Sequence, residues 1–153
     1  MDVPVNINAQ LLALIDENGW AVRHVGAGDT PGEVAFSYTI GLTALGHPEF
    51  IMQGMPFEHA QTFLNLLGEE VFGGRQYVAN SIVEDLTEEP APMAFIPAID
   101  ASGLTAVINV YGSVDALQIV WSDSKGRLPW EDGYRNSPDA QPLLGPIPAT
   151  FTH

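Results

Sequence analysis

The sequence has no cysteine, and it also lacks a long apolar run. Without cysteine the protein has no disulfide, no thiolate nucleophile and no cysteine-ligated zinc or iron–sulfur site. No stretch approaches the roughly 20 consecutive apolar residues of a membrane helix. Residues 1–6 show neither the basic start nor the apolar run of a secretory signal. These absences predict a cytoplasmic protein that does not associate with membranes.

Positively charged residues are scarce. Five Lys and Arg stand against 19 Asp and Glu, which gives a formal net charge of −14. A field of this sign repels phosphate backbones, so direct nucleic-acid binding through a basic face is not expected. The charge keeps the domain soluble and favours basic protein partners. A sharper interpretation is that the acidic surface mimics a nucleic acid and occupies a DNA-binding protein.

Known catalytic motifs are missing as well. The chain has no Gly-x-Ser-x-Gly elbow, no Gly-x-x-x-x-Gly-Lys phosphate loop, no His-Glu-x-x-His helix and no dinucleotide fingerprint. This favours a binding or interaction module over an enzyme and leaves catalytic residues and cofactors unknown. Backbone amides can hold a phosphate without a basic motif, which keeps flavin mononucleotide as an alternative cofactor.

The chain has the length and composition of one domain. Of its 153 residues, 46% are hydrophobic and 16% are charged, which is enough apolar material for a core. Residues 127–153 are irregular and rich in proline but carry aromatic residues, a pattern that favours a segment packed onto the domain over a free linker. We therefore predict a single domain over residues 1–153 with a packed C-terminal tail.

Apolar periodicity predicts two helices. The first covers residues 9–17, with Asn8 as its cap, and the second begins at Pro56 and ends at Gly73-Gly74. Residues 104–111 fit a strand or a short helix, and their Val and Ile content favours a strand. Segments rich in β-formers predict further strands over residues 20–25, 34–42, 50–55, 77–83, 93–99 and 117–121.

This order of elements predicts an α+β fold. Consecutive strands joined by short turns favour a curled, mainly antiparallel sheet or a half-open barrel with two helices. A strand, a loop, a strand ending in Gly54 and a following helix are also similar to the core of flavin reductase and pyridoxamine-phosphate-oxidase-like split barrels. In those proteins such a unit holds the flavin phosphate. This similarity concerns the fold alone, which does not determine function.

His47 and Glu49 flank Pro48 in a loop between two predicted strands, a usual place for functional residues. His47 is a candidate general acid or base, and with Glu49 a candidate metal ligand. We favour the alternative of a loop histidine that hydrogen-bonds backbone carbonyls, because His-x-Glu matches no established metal-ligand spacing. We therefore predict no metal site.

Short motifs spread over nearly the whole chain carry a family resemblance. They include Tyr-Thr-Ile-Gly at residues 38–41, Gly-His-Pro-Glu at 46–49 and Pro-Trp-Glu at 129–131. With residues 18–22, 54–56, 111–112, 117–121, 133–134 and 141–145, they resemble the bacterial family called domain of unknown function 4262. One departure is Trp121-Ser122-Asp123, where the family often has Trp-Pro-Asp. The resemblance implies a small cytoplasmic protein of bacteria, actinobacteria especially, or of their phages, and it brings no known reaction.

The leading hypothesis is a cytoplasmic binding module from a bacterium or phage that takes a protein or small molecule in a groove, with an inhibitor or immunity role as one form. The alternatives are a flavin- or other small-ligand-binding enzyme with a split-barrel-like fold, and an acidic nucleic-acid mimic. A homodimer is also compatible with the sequence. For the aromatic candidates, packing between tail and sheet is the alternative that we favour over ligand binding. The predicted ligand-binding residues are Tyr38, Thr39, His47, Glu49, Trp121, Trp130, Glu131 and Tyr134.

Overall fold

The computed structural model describes residues 3–29, 33–86, 91–137, 139–148 and 151. Parts of the predicted tail, residues 138, 149–150 and 152–153, lie outside the described residues. The described residues form three α-helices, one 3-10 helix and six strands. The helices are α1 (Val3–Asn18), α2 (Phe57–Phe72) and α3 (Thr105–Tyr111), and the 3-10 helix is Leu42–Leu45. The strands are β1 (Ala21–Val25), β2 (Phe36–Ile40), β3 (Glu49–Gln53), β4 (Ser81–Val83), β5 (Met93–Pro97) and β6 (Ala116–Trp121).

The six strands of the described chain form one open sheet in the order β1-β2-β3-β6-β5-β4. Strands β1, β2 and β3 are successive antiparallel neighbours, and so are β4, β5 and β6. The two halves meet where β3 and β6 run parallel, with Phe50 opposite Leu117. The α+β class is thus confirmed, and the sheet is mixed and not closed, with β1 and β4 at its edges.

The two longer helices begin next to a proline. In α1, Pro4 occupies the first turn, where a helix needs no N–H group. The predicted cap at Asn8 is therefore wrong, because the helix already begins at Val3. Helix α2 follows Pro56 directly and ends at Phe72, with Gly73 as its C-cap, close to the predicted start and end. No helix among the described residues is long and apolar enough to cross a membrane.

The preference for a strand over residues 104–111 is wrong, because Thr105–Tyr111 form α3. Ala106, Val107 and Val110 pack against one apolar cluster, and one face of a helix supplies this spacing. Burial against the sheet therefore overrides the strand propensity of the β-branched residues. The described residues contain three α-helices, so the predicted count of two is also wrong.

The strand predicted over residues 77–83 is shorter in the structure, since β4 begins at Ser81. The N–H of Tyr77 donates to Nε2 of His47 at 3.0 Å, which takes it away from the sheet. Asn80 adopts a left-handed conformation with a φ of 65°, which interrupts an extended chain. Both features leave only the last three residues of the predicted segment in the ladder.

Helix α2 covers one face of the sheet. Phe50 and Met52 on β3 and Phe95 on β5 are fully buried in one cluster with Leu64 and Leu67 of α2. Successive residues of a strand alternate between the faces, so Phe50 and Met52 share this face. Residues of α2 at helical spacing provide the matching apolar stripe.

The opposite face is covered by α1 and α3. Tyr38 and Ile40 on β2 and Ile51 on β3 are buried there with Leu11 of α1 and Val107 of α3. The molecule therefore has three layers, with the sheet in the middle. The polar loops at the strand ends lie outside these two cores and are where a site can be built.

The C-terminal tail covers the remaining part of this second face. Leu128 packs on Ile96 and Val120 in a separate buried cluster. Nε2 of the buried Gln118 also donates to the carbonyl of Pro142 at 2.9 Å. The described part of the tail is thus held to the sheet by apolar contacts and by hydrogen bonds from a buried side chain.

Candidate functional site

Glu49 begins β3 and is fully buried beside the connection between β2 and β3. Its Oε2 accepts N–H hydrogen bonds from Gly41 (3.1 Å) and Thr43 (2.9 Å), and its Oε1 accepts one from Leu42 (3.2 Å). The hydroxyl groups of Thr39 and Thr43 donate further bonds of 2.8 and 2.6 Å. Gly41 has a φ of 127°, which only glycine adopts readily, and this turn lets the amides meet at one carboxylate. We call these five residues the Glu49 nest.

The Glu49 carboxylate has many donors but no cation. Burial raises its pKa above the ordinary value of 4.5, and hydrogen bonds from Thr43, Thr39 and Gly41 oppose that rise. None of the ion pairs between described residues involves Glu49. Successive N–H groups of this kind also form anion-binding sites for phosphates. Here the protein's own carboxylate fills the site and holds the connection between β2 and β3.

Both ring nitrogens of His47 are also within hydrogen-bond distance of backbone groups. It is 7% exposed, and its Nδ1 lies 2.8 Å from the carbonyl oxygen of Pro48, which can only accept. Its Nε2 accepts the N–H of Tyr77 at 3.0 Å. These two bonds require a neutral ring with its proton on Nδ1. The ring packs on Phe50 with 5.3 Å between centroids, so His47 ties the segment after α2 to the loop before β3.

Tyr38 lies on the other face of the sheet from this loop. It is fully buried, and its hydroxyl accepts the N–H of Ala106 at 3.2 Å, in the first turn of α3. First-turn N–H groups have no partner inside their own helix, so Tyr38 serves as a cap for α3. Its neighbour Thr39 points to the opposite face, into the Glu49 nest.

Trp121 and Tyr134 meet around the buried Gln141. The Gln141 amide donates to the carbonyl of Trp121 at 2.6 Å and to the hydroxyl of Tyr134 at 3.2 Å. The Trp121 N–H donates back to Oε1 of Gln141 at 3.0 Å, and its indole N–H donates to the carbonyl of Gln53 at 3.0 Å. These bonds fasten the tail to the end of β6.

The last two predicted residues also lie in the tail. Trp130 stacks on Phe151 with 5.5 Å between ring centroids. Glu131 is exposed, and its Oε1 accepts the N–H of Leu128 at 2.7 Å, which closes a turn of the tail. Both side chains are therefore engaged within the tail itself.

The eight predicted residues therefore do not line one groove. Ala116, at the start of β6, pairs with Glu49, whereas Trp121 is at its other end, roughly 17 Å away at about 3.4 Å per residue. The structure brings Thr39 together with Glu49, and Trp121 together with Tyr134. Tyr38 lies beside the start of α3, His47 lies at a cleft beside the loop before β3, and Trp130 and Glu131 lie in the tail next to Leu128.

An open cavity of about 540 Å³ lies between the loop before β3, the segment after α2 and the start of β6. We call it the His47 cleft. Two apolar side chains on its lining, Leu45 and Val78, are 47% and 61% exposed. The lining includes Leu45, His47, Arg75, Tyr77, Val78 and Asp115.

The charges around the His47 cleft are mostly negative. Arg75 forms ion pairs of 3.2 Å with both Glu70 and Asp85, and its guanidinium lies 4.6 Å from the centre of the Tyr77 ring. Asp115 is exposed and makes no side-chain hydrogen bond or ion pair with a described residue. One cation and three carboxylates thus leave a local net charge of −2.

Tyr77 lines the cleft but is mostly buried, and its ring stacks on Phe95 with 5.0 Å between ring centroids. Its hydroxyl has no hydrogen-bond partner among the described residues. Burial raises the pKa of Tyr77 to about 12, against the lowering effect of Arg75. The hydroxyl therefore stays neutral at neutral pH and is able to donate or accept a hydrogen bond.

Sequence reasoning missed Tyr77, Val78 and Asp115 as site residues. Gly73-Gly74 ends α2 and predicts an exposed turn three residues before Tyr77, which is the one local signal for this region. Asp115 reaches the cleft because its carbonyl accepts the N–H of Glu49 at 2.9 Å, next to the parallel pair of β3 and β6. No local pattern encodes a parallel pair between such distant segments.

A second carboxylate organises the turn after β6. Asp123 accepts N–H groups of Lys125 and Arg127 at 2.9 Å each and of Arg135 at 2.7 Å. Desolvation raises the pKa of Asp123, but the N–H groups of Arg127, Arg135 and Lys125 outweigh it, and the pKa lies below the ordinary value of 3.8. This carboxylate, like Glu49, is used to shape the chain.

Among the described residues, no group of three or more His, Asp and Glu is placed to hold a metal ion. The fold and site define a three-layered α+β protein with an open mixed sheet and an acidic, apolar-rimmed cleft. The chain belongs to the family described as "Domain of unknown function (DUF4262)", whose model matches residues 14–135. This match confirms the resemblance and covers the whole His47 cleft. Comparisons with curated proteins and with solved structures found no match.

Proposed function

We propose that this protein is a non-enzymatic interaction module that binds a basic segment of a partner protein in the His47 cleft. In this proposal it works in the cytoplasm of a bacterium or of a phage-infected cell, and an inhibitor or immunity role is its specific form. The observation that carries the proposal is the combination of an apolar rim with uncompensated negative charge. Leu45 and Val78 are exposed there, and Asp115 has no partner among the described side chains.

The long-range charge supports the same kind of partner. A chain with a net charge of −14 attracts basic surfaces over distances near the Debye length and repels acidic ones. Exposed apolar residues such as Val78 add the local contacts that charge alone does not supply. Arg75 does not attract an anion here, because Glu70 and Asp85 already neutralise it.

An enzymatic role draws little support from the polar residues of the loop before β3. His47 uses both ring nitrogens on backbone groups, and Glu49 uses both oxygens in its nest. A flavin phosphate in this loop would need the N–H groups of Gly41, Leu42 and Thr43, which bind Glu49 instead. A barrel-like curl of the sheet, which the flavin alternative includes, stays a prediction, as does a homodimer.

The nucleic-acid mimic also draws little support from the arrangement of acids. Mimicry requires carboxylates along one face at phosphate-like spacing. Exposed acids occur on α1, at Asp16 and Glu17, and on α2, at Glu58 and Glu69, and these helices cover opposite faces of the sheet. The negative charge is therefore spread around the molecule, which suits a general attraction for basic partners.

The test is selection of peptides on the purified protein from a random display library, followed by affinity measurement of the selected peptides by calorimetry. We expect enrichment of peptides that combine Lys or Arg with an apolar residue. Asp115→Asn and Val78→Ser should each weaken binding about tenfold, as typical interface side chains do. The matched controls are Asp132→Asn and Leu12→Ser, which remove an exposed acid and an exposed apolar side chain outside the cleft.

The proposal predicts that the two controls bind like the wild type. Selected peptides without basic residues would contradict it, and so would equal losses in the cleft variants and the controls. Equal losses would place the contact elsewhere on the molecule. All four variants change exposed side chains, so circular dichroism should show the wild-type fold in each.

A further inference from the structure

Strand β4 ends the sheet on one side. It pairs with β5 through Ser81–Val83, and no described residue pairs with its other side. An edge strand presents a row of free N–H and C=O groups, which is a template for another strand. Proteins often protect such edges with Lys or Pro, and β4 contains neither. Its central residue, Ile82, is 43% exposed.

The His47 cleft adjoins the start of this strand. Val78 and Ala79 line the cleft, and Asn80, in its left-handed conformation, turns the chain into Ser81. A segment that runs antiparallel to β4 passes from Val83 towards Ser81 and then continues towards the cleft. In strand addition, main-chain bonds supply affinity and an adjoining pocket supplies specificity. This edge and this cleft are placed for both.

Tyr77, which lines the cleft, carries a buried polar group without a partner. Tyr77 is only 4% exposed, and its hydroxyl forms no hydrogen bond with a described residue. Buried hydroxyl groups in folded proteins nearly always have a partner. The hydroxyl oxygen itself is closed off from solvent, so a segment in the cleft is held by the edge strand and by charge and not by this group.

Charge decides which strand fits the edge. Glu84 and Asp85 follow β4 directly and are both exposed. A second copy of the chain would bring another net charge of −14 against the first. An extended segment with Lys or Arg instead finds complementary charge both at Glu84, which has no ion pair with a described residue, and at Asp115.

From these features we infer that the partner binds as an extended basic segment, paired antiparallel with β4, whose next residues towards the carboxyl end enter the His47 cleft. This inference rests on the proposed function and adds the way in which the partner is held. It assigns β4 a binding role through its backbone, which side-chain variants of the cleft do not test.

The experiment uses the tightest basic peptide selected on the full-length protein. Each of its peptide bonds in turn is N-methylated, and the dissociation constants are measured by calorimetry. In a β-strand, the N–H groups of every second residue hydrogen-bond to the same neighbouring strand. We therefore expect the effect of methylation to alternate along the peptide. Methylation at every second position should weaken binding about five- to tenfold, and methylation at the positions between them should leave the dissociation constant unchanged. Amide hydrogen exchange of Ser81–Val83, followed by NMR, should slow when the peptide binds.

A side-chain change at the edge provides a second arm. Ile82→Lys places a positive charge beside the added basic strand and should weaken binding. Leu12→Lys, which also replaces an exposed apolar side chain by Lys but lies on α1, should not. If cleft variants weaken binding but methylation shows no alternation and exchange at Ser81–Val83 is unchanged, strand addition is wrong and the proposed function stands. If no basic peptide binds at all, both are wrong.

Discussion

Two carboxylates in this protein do the same work in different surroundings. Glu49 accepts three backbone N–H groups and two hydroxyl groups inside the fold, and Asp123 accepts three backbone N–H groups in the turn after β6. Yet burial raises the pKa of Glu49, whereas the pKa of Asp123 is lowered. The hydrogen bonds alone therefore do not decide whether the pKa of such a carboxylate is raised or lowered. Desolvation outweighs the bonds at the fully buried Glu49, whereas the bonds outweigh desolvation at Asp123, which is 6% exposed.

The largest expected effect is the loss of stability in Glu49→Ala. Removal of the carboxylate leaves the N–H groups of Gly41, Leu42 and Thr43 without an acceptor in a buried loop. Unsatisfied buried donors cost about 1–3 kcal/mol each, so we expect a loss of at least about 3 kcal/mol in the free energy of unfolding. Urea denaturation followed by circular dichroism measures it.

Asp123→Ala is the comparison for this variant. The N–H groups that bond to Asp123 are partly buried, whereas those of Gly41 and Leu42 at Glu49 are buried. Water is therefore better able to replace the acceptor lost in Asp123→Ala, and the denaturation midpoint of this variant should fall clearly less than that of Glu49→Ala. Equal losses in the two variants would show that depth in the fold does not separate the two carboxylates.

A smaller loss is expected for His47→Ala, which extends the comparison to a neutral side chain. The variant removes an acceptor for the Tyr77 N–H and a donor to Pro48, and it leaves space beside Phe50. We expect a loss of about 2–3 kcal/mol in the free energy of unfolding.

His59→Ala is its control, because His59 is exposed on α2. A surface change of this kind should stay within about 0.5 kcal/mol of the wild type. If His47→Ala were as stable as His59→Ala but no longer bound a selected peptide, His47 would be a ligand-binding residue, as the sequence first suggested.

The smallest effects are those of pH, and they should have opposite signs at the two carboxylates. The raised pKa of Glu49 means that its contribution to stability is full below its ordinary value of 4.5 and is lost as pH rises through the folded-state pKa. The lowered pKa of Asp123 means that its contribution is present above 3.8 and is lost as pH falls through the folded-state pKa.

The measurement compares urea midpoints of the wild type with Glu49→Gln and with Asp123→Asn over a series of pH values. The stability difference between wild type and Glu49→Gln should shrink as pH rises above 4.5. The difference between wild type and Asp123→Asn should shrink as pH falls below 3.8. Differences that change in the same direction for both variants would contradict the comparison.

Local patterns predicted a good part of the fold. The apolar stripe that Pro56 opens is α2, and the β-rich segments around Phe50 and Trp121 are central strands. The patterns failed where contacts distant in sequence compete with local preference. Val107 and its neighbours have strand propensity, but burial against the sheet makes them part of α3.

The candidate site was less predictable than the fold. The sequence indicates that His47 and Glu49 share a loop, but not that Thr39 and three backbone amides surround the carboxylate. A carboxylate close to a histidine in sequence is equally compatible with a pair of ligands and with two side chains that each hydrogen-bond the backbone. The hydrogen-bond partners decide between these interpretations, and they come from other parts of the chain.

The sequence by itself determined the absence of disulfide chemistry, the net charge of −14, the α+β class and the family to which the chain belongs. These are properties of composition, short motifs and local periodicity. Only the tertiary structure decided that β3 and β6 run parallel, that Glu49 fills its own anion site and that Asp115 joins Val78 at the His47 cleft. The physical reason is that each of these depends on packing between segments distant in the chain, which local preferences do not specify.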